Sequence, residues 1–229
     1  MRRSTNLYEQ ESSVNWIAGA SSTTLEQPEN NPRLVKVTSQ LLDGGNKTST
    51  VDYTYDEFNN VLTEELKGFD GQIIRRVERT YLRSLNGIDY AGLNRQIAPA
   101  NNPNLFDTHL KSLILSESIK NKFNVVESTS TYEYDNYSDD GLHGVLGQKT
   151  LPANLHDPLF QGTQRTQRGN VTSITRGAGT PEASTIYSHY DVLGNVTAIV
   201  GPLANQKTET DYSVDSKFTF PTQTKQFVS

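Results

Sequence analysis

The chain contains no cysteine in 229 residues. That removes disulfides, thiolate nucleophiles and cysteine-based zinc sites together. Methionine and tryptophan occur once each, the latter as Trp16, and periodic runs of good helix formers are scarce. No apolar run exceeds three residues, as at Leu113-Ile114-Leu115 and Ala198-Ile199-Val200. A membrane helix needs roughly 18, so no membrane span is expected. Met1-Arg2-Arg3 is basic but leads into no apolar stretch, so no signal peptide is read there. Excess positive charge is missing as well: 21 Lys and Arg face 26 Asp and Glu, a net charge of -5. Nucleic-acid binding rests on neutralising phosphates, so a nucleic-acid partner is not expected.

What the chain does have is 25 Thr, 20 Ser, 19 Asn and 11 Tyr. Thr and Tyr suit half-buried strands, whereas Asn and Ser suit turns. The length allows a real core, and the aromatic residues with spaced Val and Ile can fill one. The expectation is an all-β protein.

Strand periodicity supports this. Val51, Tyr53 and Tyr55 alternate on one face, as do Tyr132 and Tyr134, then Ile186, Ser188 and Tyr190, then Val196, Ala198 and Val200. The stretch Ile73–Tyr81 also alternates, but Arg75 and Arg79 share the side of Ile73, Val77 and Tyr81; such a face could line a polar or water-filled interior, but an edge strand is the more ordinary reading. Turns are expected at Asp43-Gly44-Gly45-Asn46, Asp70-Gly71, Asn86-Gly87, Arg168-Gly169-Asn170 and Leu193-Gly194-Asn195. A short helix is entertained at Leu105–Leu115. The chain reads as one region, 1–229: an opening segment 1–50 containing Trp16, repeats over 51–138 with an irregular loop near 82–110, a loop or insertion over 139–168, and repeats over 169–229.

One short pattern recurs: a strand ending in an aromatic residue, then Asp, a tight turn and a new strand. Tyr190-Asp191-Val192-Leu193-Gly194-Asn195-Val196 is the clearest copy, and Tyr55-Asp56-Glu57-Phe58-Asn59-Asn60-Val61 is a second. Tyr134-Asp135 opens a third whose turn runs long. Arg168-Gly169-Asn170-Val171-Thr172 keeps only a second half, and Tyr212-Ser213-Val214-Asp215 is degenerate. Tyr190 and Tyr212 are 22 residues apart, and Asn170 and Asn195 are 25 apart, about one hairpin. The Asp can accept backbone N–H groups two or three residues on, and Gly or Asn tolerates positive φ. The Tyr ring can lie on the neighbouring hairpin with its hydroxyl at the wet edge.

This pattern resembles the YD repeat of the RHS family, which includes bacterial Rhs toxins, the B and C components of insecticidal Tc toxins, WapA-type wall proteins and animal teneurins. Tyr8 to Gly19, with Asn15-Trp16, resembles a further segment of bacterial members, although Glu11 stands where they have Asp. Tyr212 to Thr222 resembles their segment ending in Phe-Pro-Thr. The resemblance implies consecutive antiparallel β-hairpins in a curved, spiralling sheet, part of a hollow shell that encloses a toxin or is displayed at a cell surface. It implies a secreted or cell-surface location, with the remainder of a larger shell or its toxin cargo as partners. A chain of 229 residues is too short to close such a shell, so a piece of one is expected. Tyr55, Tyr134, Tyr190 and Tyr212 would pack, Asp56, Asp135 and Asp191 would hold turns, and Gly169, Asn170, Gly194 and Asn195 would shape them, with Trp16 an anchor.

Chemistry is sparse beside this. His109, His143, His156 and His189 show no metal-ligand spacing. Glu64-Glu65 and Asp139-Asp140 are adjacent, so on a strand they would point to opposite faces rather than across a cleft. No nucleophile elbow or phosphate-binding loop is present. Asn46, Asn136, Asn170 and Asn195 head glycosylation sequons that read as by-products of turn chemistry. No catalysis, cofactor or metal is expected. The other reading is an extracellular β-domain that binds glycan or a partner protein through Tyr-rich strands.

Overall fold

The computed structural model describes residues 1–10, 32–43, 45–91, 110–150, 162–203 and 206–227. Among them are strands and turns and no helix. The strands are β1 (Arg2–Gln10), β2 (Pro32–Leu41), β3 (Lys47–Tyr55), β4 (Val61–Lys67), β5 (Ile73–Tyr81), β6 (Ser84–Leu85), β7 (Ile88–Asp89), β8 (Ile114–Asn121), β9 (Val126–Tyr134), β10 (Val171–Arg176), β11 (Ser184–Tyr190), β12 (Val196–Val200), β13 (Lys207–Tyr212) and β14 (Pro221–Phe227). Apart from the small β6–β7 hairpin, they form one open antiparallel sheet in chain order from β1 to β14. Every sheet connection is thus between sequence neighbours, as a run of hairpins requires.

One compact unit holds β1 to β8 and β9 as far as Thr129. A second begins at Ser130 and holds the rest of β9 through β14. In the first unit, Tyr53, Glu64, Val77 and Ile119 lie opposite one another on β3, β4, β5 and β8. The neighbouring row, Lys36, Asp52, Glu65, Arg76 and Lys120, points the other way. That second face carries ion pairs from Asp52 to Lys36 and to Lys67, both at 3.1 Å. Such half-exposed pairs, still reached by solvent, contribute little stability each.

Strand β5 is not an edge. It pairs with β4 on one side and β8 on the other. Arg79, which made its face look unsuitable for an interior strand, is neutralised by Glu117 on β8 at 2.7 Å. The helix entertained at Leu105–Leu115 is also not formed where the chain is described. Lys111 and Ser112 form a turn and Ile114 starts β8 opposite Tyr81. The Leu113 carbonyl accepts the Leu82 N–H at 2.8 Å, so strand pairing takes the backbone bond a helix would need. Residues 105–109 lie outside the described residues, as do Trp16 with residues 11–19 of its motif, His109 and His156.

Few apolar side chains are buried: Val77, Leu82, Tyr90 and Ala91 in the first unit, and Tyr134, Leu146, Val192, Ala198 and Phe218 in the second, among the described residues. Several of these lie in or beside the connections that follow Tyr-ending strands. Those connections are where the structure is most elaborate.

Candidate functional site

Five strands end in Tyr: β3 at Tyr55, β5 at Tyr81, β9 at Tyr134, β11 at Tyr190 and β13 at Tyr212. After Tyr55 and Tyr190 the chain makes the same five-residue turn. The Asp56 and Asp191 N–H groups donate to the Asn60 and Asn195 carbonyls, each at 3.0 Å. Asp56 Oδ1 accepts the Phe58 and Asn60 N–H groups at 2.8 and 2.9 Å, and Asp191 Oδ1 accepts those of Leu193 and Asn195 at 2.9 and 3.0 Å. The second oxygen of each Asp accepts the Asn side-chain amide. The bonds thus reach two and four residues on. The residue before the Asn has positive φ, 67° at Asn59 and 82° at Gly194.

The third copy is split. Tyr134-Asp135 and Gly169-Asn170, separate in the chain, form one turn. The Asp135 N–H donates to the Asn170 carbonyl at 2.9 Å, and Asp135 Oδ1 accepts the Asn170 N–H at 2.9 Å. Asp135 Oδ2 accepts the N–H groups of Arg168 and Gly169 at 2.9 and 2.8 Å. The Tyr137 hydroxyl stands between the two side chains, donating to Asp135 Oδ1 at 2.8 Å and accepting from Asn170 Nδ2 at 2.9 Å. Residues 136–167 are therefore an insertion within a repeat turn. Arg168 ties its return to the next turn, donating to the Val192 carbonyl at 2.6 Å and to the Gly162 carbonyl at 2.8 Å. Gly147 adds a parallel bridge beside Asp191.

Each turn is linked to the following Tyr. The hydroxyls of Tyr81, Tyr190 and Tyr212 donate to the carbonyls of Val61, Val171 and Val196, at 3.0, 2.9 and 3.4 Å. Those three Val residues directly follow Asn60, Asn170 and Asn195. Tyr55 makes the corresponding bond to Leu34 at 2.7 Å. A net value of about 1 kcal/mol each is typical for such bonds. Burial raises the Tyr55, Tyr81 and Tyr190 phenols above their ordinary range. Burial, with Tyr132 and Asp135, pushes Tyr134 up to about 12. These phenols stay protonated near neutral pH.

A bulge accompanies every copy. Opposite the last two residues of each Tyr-ending strand, the restarting strand carries one extra residue: Leu62, Leu115, Thr172, Thr197 and Thr222 in turn. A bulge raises local twist and redirects side chains. The alternation seen in sequence marks the strands but not these slips.

Two features escaped sequence reasoning. Tyr81 belongs to the series but is followed by Leu82 rather than Asp; its spacing of 26 residues from Tyr55 was the available signal. Asn121 makes the same turn as Asp56, accepting the Phe123 and Val125 N–H groups at 2.9 and 3.2 Å, with Asn124 at φ 61°. Asn121-Lys122-Phe123-Asn124 matches Asp56-Glu57-Phe58-Asn59 once Asn is allowed for Asp.

Electrostatically, burial pushes the Asp56 carboxyl up. Bonds from Asn60, Phe58 and Arg83 outweigh that and hold it below its ordinary value. Arg83 also donates to the Lys111 carbonyl at 3.0 Å and stacks over Phe58 at 4.7 Å. Near the split turn, Ser173 Oγ donates to Glu133 Oε2 at 3.0 Å, and His143 faces Glu133 and Asp140. Both His143 ring nitrogens face carboxylates, and the Ser173 hydroxyl is turned to Glu133 rather than to the ring. Among the described residues no group of three or more His, Asp or Glu is arranged to hold a metal ion.

Gly194 gives a sharp check on the turn. An added Cβ would meet only Asn170 Oδ1 at 4.0 Å, so space is adequate and the backbone is the constraint. Gly194→Val is expected to cost about 2 kcal/mol, because a β-branched residue resists positive φ. Gly194→Asn should cost under about 1 kcal/mol, since Asn59 and Asn124 already occupy that place. Denaturant unfolding of both variants measures this; equal losses would show that the backbone conformation is not what limits the site.

No family model matches the chain, and no curated protein matches it. Among solved structures, the chain has 13% identity to a porin-like protein from Bacteroides uniformis, over 85% of this chain and 84% of that one, with a TM-score of 0.22. It has 12% identity to a chain in the crystal structure of TcdB2-TccC3-Cdc42, over 91% of this chain and 11% of that one, with a TM-score of 0.20. Both likenesses are weak.

Proposed function

We propose that this chain is a structural, non-enzymatic segment of an RHS/YD-repeat protein. Its consecutive hairpins would contribute to a hollow β-shell that encloses a toxin or is displayed outside the cell, so the protein would be secreted or at the cell surface. Its partners would be the rest of that shell or its cargo. The observation that carries the reading is the interlock of turn and tyrosine. Asp56, Asp135 and Asp191 each close a turn onto an Asn, and the next residue's carbonyl receives the hydroxyl of a Tyr in a neighbouring strand. The recurring residues spend their polar groups on the backbone, which suits a repeated building unit rather than a site for substrate.

Light scattering after size exclusion, with far-UV circular dichroism, tests this on the isolated chain. The strand order leaves β1 and β14 at the ends of the sheet, and the β14 residues are exposed throughout. Open edges of this kind template pairing. The expected result is a β-rich spectrum with concentration-dependent self-association. A strict monomer that also gives selective hits on a glycan array would overturn the reading in favour of an extracellular binding domain.

A further inference from the structure

We infer that His143 is a proton-operated clasp: as an imidazolium it fastens the inserted loop 136–147 to β9, and on losing its proton it gives up that fastening. This rests on the loop's own contacts and not on the shell reading.

The geometry carries the inference. His143 Nδ1 lies 2.7 Å from Asp140 Oδ2, and Nε2 lies 2.8 Å from Glu133 Oε2. Ionised carboxylates only accept hydrogen bonds, and a neutral imidazole has a single N–H. Only the imidazolium can donate to both. Whichever nitrogen loses the proton, its lone pair then faces a carboxylate oxygen. Asp140 belongs to the loop and also accepts the Leu142 and His143 N–H groups, at 3.0 and 2.7 Å. Glu133 belongs to β9 and is held there by Ser173 Oγ of β10. Of the two ring bonds, the Nε2 bond is therefore the one that crosses from loop to sheet.

The other groups around the ring do not substitute for it. Tyr187 of β11 meets the His143 ring edge-on at 4.9 Å between centroids. Asn136 Nδ2 approaches Nε2 at 3.4 Å but donates to Glu133 Oε1 at 2.9 Å. His189 of β11 bonds the Leu142 carbonyl through Nε2 at 2.8 Å, which a neutral ring can do with its one N–H. That contact persists when His143 lets go.

The direction with pH follows. Burial pushes the His143 ring's titration down, but Asp140 and Glu133 outweigh it, so it titrates above its ordinary 6.5. Its stabilisation of the docked loop is complete below pH 6.5 and disappears as pH rises through the raised value. Glu133 titrates below its ordinary 4.5: burial pushes it up, and bonds from Asn136, His143 and Ser173 pull it further down. Asp140 is held below its ordinary 3.8 chiefly by His143. Their contributions are full above pH 4.5 and fail only as pH falls through the lowered values. The clasp is thus fully closed between about pH 4.5 and 6.5 and opens on the alkaline side.

Hydrogen exchange of amides 137–147 in the full chain, corrected for intrinsic rates, tests this from pH 6 to 9. Protection is expected to fall as pH rises, by at most about tenfold per pH unit, the limiting slope for release of one proton. The midpoint should coincide with the His143 ring titration followed by NMR. His143→Gln should give low, pH-independent protection, and the isosteric Glu133→Gln should weaken the clasp and flatten its pH dependence. His189→Asn should lower protection while keeping the slope. Constant protection in the unsubstituted chain would overturn the inference. So would a midpoint that follows His189, or a wild-type slope retained in either His143→Gln or Glu133→Gln.

Discussion

Replacing Asp135 by Ala is expected to lower stability by about 4 kcal/mol, the largest loss of any single substitution in the repeat turns. The carboxylate accepts the N–H groups of Arg168, Gly169 and Asn170 and the Tyr137 hydroxyl, all within 2.9 Å. Bonds to an ionised acceptor are worth about 1.5 to 3 kcal/mol each, and water recovers part of this once the turn opens. A second cost is conformational. Asp135 sits at φ 56°, where Ala is disfavoured by about 1 kcal/mol and Asn is tolerated. Asp135→Asn keeps the side-chain oxygen and the backbone preference, so about half the loss should return. For a chain of this size, 4 kcal/mol corresponds to a fall in Tm of roughly 8 to 16 °C. The damage has a place as well as a size: because Asp135 closes the two ends of the insertion, amides 162–170 should lose exchange protection first. Thermal unfolding at the wild-type temperature in Asp135→Ala would sink this account of the split turn.

Asp191→Ala should cost about 3 kcal/mol, or roughly 6 to 12 °C in Tm. Asp191 is fully buried and accepts the Leu193 and Asn195 N–H groups and the Asn195 side-chain amide. Without the carboxylate, those donors are left unpaired where water enters poorly, and an orphaned buried donor is more costly than a lost exposed bond. The neighbouring contacts suffer too. Gly147 pairs with both sides of Asp191, donating to the Tyr190 carbonyl at 2.8 Å and accepting the Val192 N–H at 2.9 Å. The same substitution at Asn121 should cost only about 1 kcal/mol, because that turn is bordered by exposed residues such as Phe123. Denaturant unfolding of the pair measures the ratio; equal losses would mean that burial of the turn contributes nothing.

Whatever depends on near neighbours is legible in the residues themselves. The strands ending at Tyr55, Tyr134 and Tyr190 follow from a period of two. The turns at Asp56 and Asp191 are drawn by bonds that span only two to four residues. An all-β chain of successive hairpins could therefore be read from residue types and spacing. The interior position of β5 could not, because Arg79 meets its counter-charge Glu117 only once β8 has paired. Nor could the helix at Leu105–Leu115 be rejected from sequence alone, since Leu113 and Ile114 are claimed by Leu82 and Tyr81 from a strand far earlier in the chain.

Residue types and their spacing settle the kind of element and the local form of each tight turn, because backbone preference and Asx bonding act within a few residues. That Tyr134-Asp135 and Gly169-Asn170 are halves of one turn depends instead on the folded arrangement of the strands. The same long-range pairing brings Tyr81, Tyr190 and Tyr212 to the residue after the preceding Asn, puts a bulge opposite the end of each Tyr-ending strand, and sets His143 between two carboxylates. Those contacts mostly join residues 10 to 35 positions apart. The pairing of whole strands brings them together, and strand register is set by the sum of a ladder rather than by any one residue in it.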